Sequence, residues 1–317
     1  MHKSAIFSCL LALCACSSRN FSAVGEKSSA KPEPLQTASA NALYPVRVDG
    51  KYGYINRSGK MVLQPQYSGA SRFSEGLAAV QQDKGGAVGF IDESGKLAIP
   101  LKFEFAEAFS EGLAAVRLNH NWGYIDKSGK IVIQPAYAFG GRFSEGVAAV
   151  AVLRGLVGSY GYINKKGELV VEAKYEQAMP FAEGVAAVRV LSQEFSFIDH
   201  AGKTAIAPGY STAGEFSSGL APVEMQAPEG MRWGFIGKDG KLVIGAKYTK
   251  ALPFTEGLAA VQTIDGKWGY IDPKGTMAIV PKYDNANFFH DGLAQVWLDA
   301  ALGYIDSTGK YVWEPKQ

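Results

Sequence analysis

The sequence predicts an all-β repeat protein: eight three-stranded antiparallel meanders stacked as an open β-solenoid, with an eight-bladed β-propeller as the alternative. Three observations predict it. A glycine in "WGY"-like phrases recurs at Gly53, Gly89, Gly123, Gly161, Gly234, Gly269 and Gly303, with Ser196 in its place in the fifth copy, at intervals of 34–38 residues. A period of this size marks a repeat architecture. An isoleucine stands two residues after every anchor, from Ile55 to Ile305, and a glycine six after, from Gly59 to Gly309. A second glycine follows 23 after the anchor in seven copies: Gly76, Gly112, Gly146, Gly184, Gly219, Gly257 and Gly292. All length variation falls between this second glycine and the next anchor, so the rest is a rigid path and the variable part is a loop that lengthens at little cost.

Each element follows from local chemistry. "GLAAV" and "WGYID" are short apolar runs flanking the variable loop and read as two strands of a hairpin. "WGYID" meets "KIVIQP" through Asp126 to Gly129. There Asp starts a type I turn by accepting a backbone N–H, and Gly ends it where φ must be positive. Pro135 is expected to end the third strand, because proline cannot donate to a ladder. Residues 135–146 then carry the chain to the next unit. One such meander buries too little to stand alone, and stacked copies shelter one another's apolar faces. Residues 43–317 therefore form one repeat domain. The first copy begins with its own first strand at residues 44–48 and the eighth ends with its own third at 311–315. No strand is shared between the ends, and propellers often close by such sharing, which favours the open solenoid.

The N-terminus reads as an address. Lys3 precedes an apolar stretch of 11 residues, 5–15, too short to span a bilayer and suited to a secretion signal. Leu13, Ala15 and Cys16 occupy the places of a lipobox, and the segment resembles the signals of bacterial lipoproteins. That resemblance implies removal of residues 1–15 and lipidation of Cys16. Ser17, in place of Asp, implies sorting to the outer membrane, facing the periplasm. Residues 17–42 are Ser/Ala/Lys/Pro-rich and read as a flexible tether with a reach of roughly 28 Å.

Composition excludes several functions. Lys plus Arg is 32 and Asp plus Glu is 30, so the chain lacks the charge footprint of a nucleic-acid binder. All three cysteines precede residue 17, leaving the repeat domain without a disulfide, a cysteine metal site or a cysteine nucleophile. His120, His200 and His290 show no metal-ligand spacing, and no cofactor motif is present. "GKT" at 202–204 is the ordinary repeat turn, since a phosphate loop needs glycine where Phe197 stands.

Two rows of side chains remain as candidates. The residue before the anchor is aromatic at Tyr52, Trp122, Tyr160, Phe195, Trp233 and Trp268, with Val88 and Leu302 as exceptions. Such a row, with Tyr52, Trp122, Tyr160, Trp233 and Trp268 as candidate ligand-binding residues, could clasp sugars or quaternary ammonium groups, in a general resemblance to choline-binding repeats. The competing reading is a ladder of core rings, which tolerates Val88 and Leu302. The residue before the second glycine is acidic at Glu75, Glu111, Glu145, Glu183, Glu256 and Asp291. A cation row is conceivable, but each carboxylate more simply accepts N–H groups of its own turn. No acidic pair stands out from its siblings as a hydrolase would require.

"KWGYID" at 267–272 and "FSEGLAAV" at 109–116 resemble the signature phrases of the WG-repeat, or KWG-repeat, family, across nearly all of residues 43–315. The resemblance implies a binding or scaffold module without enzymatic activity. The expectation is a lipid-anchored envelope protein whose partner is a protein or a glycan. A cell-wall carbohydrate binder using the aromatic row is the alternative, and a hydrolase a remote one. The longest variable loops, 151–160 and 224–233, are the places to look for specificity.

Overall fold

The computed structural model describes residues 42–154 and 157–314. The signal segment, Cys16 and residues 17–41 of the tether lie outside them. The described chain is all strand and turn, in eight antiparallel sheets arranged as the blades of a ring. The all-β repeat expectation holds, and the molecule is the propeller, not the open solenoid. Blade 1 spans residues 43–67, blade 2 69–103, blade 3 105–137, blade 4 139–175, blade 5 177–210, blade 6 212–248, blade 7 250–283 and blade 8 285–313.

Seven blades have four strands, not three, and among the described residues blade 1 has three. The additional strand comes from the connection between meanders. Gly69–Ala70 pairs with Leu77–Gln81, and Phe105–Ala106 with Leu113–Leu118. In most blades this strand is two residues long, too short to leave a period-two pattern in the sequence. It precedes the other three in chain order and forms the blade's inner edge.

The "DKSG" turn is as expected: Asp126 Oδ1 accepts the N–H groups of Ser128 and Lys130 at 2.9 and 3.1 Å, and Gly129 has φ 81°. The proline does not end its strand. Ile131–Tyr137 runs through Pro135, with Tyr124 opposite Ile133 but Trp122 opposite Tyr137. The extra residues bulge toward the anchor, and proline's missing donor costs nothing there. This crossing explains the anchor glycine. A Cβ on Gly123 would stand 2.6 Å from the Ile133 carbonyl oxygen and 2.7 Å from Pro135 N. The fifth copy keeps the same register, Phe195 opposite Tyr210 and Phe197 opposite Ile206, with Ser196 buried at the anchor.

The core lies between blades. The aromatic residue after each anchor is 0–1 % exposed and meets the phenylalanine 20 residues past that anchor, in the next blade, edge-on or tilted. Tyr54–Phe73, Phe90–Phe109, Tyr124–Phe143, Tyr162–Phe181, Phe197–Phe216, Phe235–Phe254 and Tyr270–Phe289 all have centroids 4.8–5.1 Å apart. The eighth pair closes the ring: Tyr304 of blade 8 meets Tyr44 of blade 1 at 5.6 Å. Tyr304 Oη donates to the Pro45 carbonyl at 2.8 Å, and Tyr44 Oη to the Asp291 carbonyl at 2.6 Å. Val46, Ile55 and Leu293 complete this seam cluster. Among the described residues no strand is shared between the ends, in keeping with the sequence. The inference from that to an open rod fails because side-chain packing closes the circle.

Candidate functional site

The aromatic row is carried on the last strand but one of each blade, paired across to the outer strand. Tyr52 faces Tyr67, Trp122 Tyr137, Tyr160 Tyr175, Trp233 Tyr248 and Trp268 Tyr283. Trp122, Trp233 and Trp268 are only 9, 6 and 5 % exposed and belong to inter-blade core clusters. Tyr52 and Tyr160 are half-buried against such clusters. The rings are thus distributed around the circle, each in its own blade, and are not gathered in one cleft.

The carboxylate row does something the sequence did not reveal. Glu75, Glu111, Glu145, Glu183 and Glu256 have φ of 50–54° and each precedes a glycine with φ of 79–86°, so each Glu–Gly pair makes a two-residue type I′ hairpin. The carboxylates do not bond within their own turns but latch onto the next blade. Glu75 accepts the Gly112 N–H at 3.1 Å and Lys127 Nζ at 3.0 Å. Glu111 takes Gly146 and Lys165 in the same way, and Glu183 takes Gly219 and Lys238. At Glu145 the cation's place is taken by His200, 2.9 Å away and stacked on Phe181 at 4.0 Å. Desolvation would raise the Glu75 carboxyl, but the Lys127 and Gly112 bonds prevail and hold it below its usual range. These partly exposed pairs each contribute little stability. Their effect is to fix neighbouring turns against each other.

The latches place the hairpins joining first to second strands, and the "DKSG" turns, on one face of the ring. The variable hairpins between second and third strands share the opposite face with the blade-to-blade connections, as shown by Glu104 of a connection meeting Arg117 and His120 of a hairpin at 3.2 and 3.4 Å. The two longest variable hairpins are extended ladders, Val147–Arg154 with Val157–Asn164 and Ala221–Ala227 with Gly230–Ile236. Large apolar side chains are exposed at these hairpins in four consecutive blades: Leu153 (59 %), Leu191 (72 %), Met231 (39 %) and Ile264 (73 %). Phe105 and Phe139 on adjoining connections are exposed too. The hairpin tips of blades 8, 1 and 3 instead carry Asp299–Ala300, Asp49–Gly50 and Asn119–His120. The hairpin tips of blades 4 to 7 thus present large apolar groups where those of blades 8, 1 and 3 present polar ones.

The ring axis carries a second departure from the repeat. The residue 19 past the anchor lies within the inner strand in blades 4 and 8 and just after it in the others, and there blades two apart touch, which only groups near the axis can do. Arg142 of blade 4 pairs with Glu215 of blade 6, and Arg72 of blade 2 lies over the Phe288 ring of blade 8 at 4.3 Å. The siblings at this position are Ala108, Pro180 and Pro253. Glu107 adds a second carboxyl near Arg142; burial raises it and the charge of Arg142 opposes. At the seam, Asn287 donates to Gln295 Oε1 at 3.1 Å and Gln295 to Tyr304 Oη at 2.6 Å. Gln295 stands where Ala79, Ala115, Ala149, Ala187 and Ala260 stand in sibling copies. These residues are hidden in the sequence because they break the repeat and carry no period. The signal is a position that holds Arg72, Arg142 and Glu215 in three copies and uncharged residues in the others. The three histidines stay apart, and no group of three or more His, Cys, Asp or Glu that could hold a metal occurs among the described residues.

Comparison with solved structures shows the same architecture at low identity. A eukaryotic initiation factor matches with a TM-score of 0.57 and 9 % identity, over 86 % of this chain and 84 % of that one. AztD from Citrobacter koseri matches at 0.53 and 14 %, over 85 and 92 %. The computationally designed Ika8 protein matches at 0.53 and 10 %, over 76 and 84 %. The likeness is of fold alone. No curated protein matches the sequence. The model of the WG containing repeat matches residues 52–85, 89–121, 122–152, 160–191, 195–226, 233–268 and 268–296, in step with the anchors and the blades. The chain belongs to the WG containing repeat family.

Proposed function

We propose that this is a lipid-anchored protein of the cell envelope, held through Cys16 at the periplasmic side of an outer membrane, whose ring binds a protein partner and performs no catalysis. The observation that carries the binding role is the apolar arc formed by Leu153, Leu191, Met231 and Ile264 at the variable hairpins of blades 4 to 7. Outer strands around the ring also expose apolar residues, such as Val62, Leu97, Val132 and Val280, but the four at the hairpin tips stand on neighbouring blades, and a cluster of that kind is what a protein interface uses. Their hairpins are also where the repeat tolerates extra length, so they can differ between blades without disturbing the inter-blade core. The burial of Trp122, Trp233 and Trp268 supports a packing role for the aromatic row over a glycan-clasping one. The anchor rests on the Leu13–Ala15–Cys16 pattern, several acyl chains being the kind of multiple signal that holds a protein stably on a bilayer.

Replacing residues 151–160 and 224–233 by the short hairpin sequence of residues 117–122 is expected to leave folding intact and to abolish capture of a partner from envelope extracts. Equal capture by the swapped protein sinks the proposal. Palmitate labelling tests the anchor separately: label is expected on the wild type and absent from Cys16→Ser, which should leave the membrane fraction. Labelling of Cys16→Ser would refute the anchor and leave the binding surface standing.

A further inference from the structure

Arginine occurs twice among the axial residues 19 past the anchor, in two different environments. Arg142 is neutralised across blade 5 by Glu215, with Glu107 close by. Arg72 spans blade 1 in the same manner, but the residue it reaches, in the place of Glu215, is Phe288. Its guanidinium makes no ion pair or hydrogen bond among the described residues; Asp291 and Tyr304 act on it only through their charge and dipole. The group is half-buried. Desolvation lowers its pKa from the usual arginine range, although arginine stays charged at neutral pH.

With its Cζ 4.3 Å from the Phe288 ring centroid and no hydrogen bond to the described residues, the guanidinium has N–H donors to offer, and that fork matches the two oxygens of a carboxylate or phosphate. The surroundings supply neutral polar groups and no carboxylate bonded to the guanidinium; the Asp291 carboxylate, 3.4 Å from His290, acts on Arg72 through its charge. Asn287 and Gln295 form a side-chain chain ending on Tyr304. His290, beside Asp291, is held below its ordinary pKa by desolvation and by the charge of Arg72, with Asp291 and Glu256 opposing. We propose that Arg72 is the recognition residue of an oxyanion site at the seam of the ring, taking a small carboxylate- or phosphate-bearing ligand against a wall of Phe288, Asn287 and Gln295. This site lies on the axis, away from the apolar arc, and stands or falls independently of the partner surface.

Isothermal titration of the full chain at fixed low ionic strength tests it, with inorganic phosphate and with succinate as the two probes. Wild type is expected to bind at least one of them saturably at one site per chain. Arg72→Gln should weaken that binding at least tenfold, and Arg72→Lys, which keeps the charge but loses the fork, should fall between. The double variant Arg142→Gln/Glu215→Gln removes the neutralised arginine and should bind as wild type does. Circular dichroism establishes that each variant is folded, and the double variant reports any general effect of altering the axis. Which probe binds decides between phosphate and carboxylate. Absence of saturable binding of both probes to wild type, or equal binding by Arg72→Gln, overturns the proposal.

Discussion

Tyr44→Ala is expected to cost about 3–5 kcal/mol, the range for deleting a large buried aromatic, and to open the ring at one place. Tyr44 is 1 % exposed and takes part in the one inter-blade pair that the repeat itself does not supply. In the other seven blades the equivalent second-strand position holds a buried alanine: Ala78, Ala114, Ala148, Ala186, Ala221, Ala259 or Ala294. There the ring that meets the preceding blade comes from the phenylalanine before the Glu–Gly or equivalent turn. Blade 1 places the aromatic on the strand Leu43–Val48, the counterpart of the second strand elsewhere, so Tyr44 fills a slot that alanine plus phenylalanine fill in the other blades. Denaturant unfolding reads the cost, and hydrogen exchange reads the location. Exchange should accelerate first in blades 1 and 8, because removing the seam contact lets those blades open locally. Tyr44→Phe keeps the ring and loses only the bond to the Asp291 carbonyl, at about 1 kcal/mol. Loss under about 1 kcal/mol in Tyr44→Ala, or exchange raised evenly around the circle, would contradict a closure that rests on this side chain.

The same residue shows where the sequence was legible and where it was not. The turns could be read because each is a local event: Asp126 bonds two residues and four residues ahead, and Gly129 takes the positive φ. The second and third strands and the repeat count could be read because their period is long and regular. Closure could not, because periodicity states that neighbours resemble one another and is silent on how much each step turns. The information lay in one exception, a tyrosine at residue 44 where siblings have alanine, and an exception carries no period. The inner strand was hidden for a related reason, two residues being too few to alternate. The partner of each carboxylate was misread because Glu111 and Gly112 are adjacent, whereas Gly146, which Glu111 holds, is one whole repeat away. Of the candidate site, the location of the variable hairpins was legible. The segregation of their apolar tips into one arc required knowing which hairpins share a face and which blades are neighbours.

Alkaline pH should unfold this protein steeply. Tyr54, Tyr124, Tyr162, Tyr270 and Tyr304 are 0–1 % exposed between blades, and burial is the largest influence raising each phenol's pKa. Tyr283 is pushed up to about 12 by the same cause, with Tyr311 adding to it. Tyrosines in the unfolded chain ionise near pH 10. Above that pH the unfolded state has released protons that the native state retains, so stability falls with rising pH. The contribution is complete below about pH 10 and is lost as pH climbs toward the raised native values. Each tyrosine costs about 1.4 kcal/mol per pH unit in that window, and five together about 7 kcal/mol, comparable to the whole stability of an ordinary domain. Far-UV circular dichroism and tyrosinate absorbance should therefore change together. The Tyr124→Phe/Tyr162→Phe variant sharpens the test. Phe90, Phe197 and Phe235 already occupy this position in sibling blades, so the core accepts the change. Loss of the bonds to the Gly141 and Met179 carbonyls, 2.9 and 2.7 Å long, should make the variant less stable at neutral pH, by about 1 kcal/mol per bond. Removing two ionisable groups should raise its alkaline midpoint. A single substitution pair that destabilises at one pH and protects at another is not produced by loss of packing alone. Ionisation of Tyr54, Tyr124, Tyr162, Tyr270 and Tyr304 while the dichroism stays native would show that the inter-blade phenols are accessible and that the core does not lie where the rings place it.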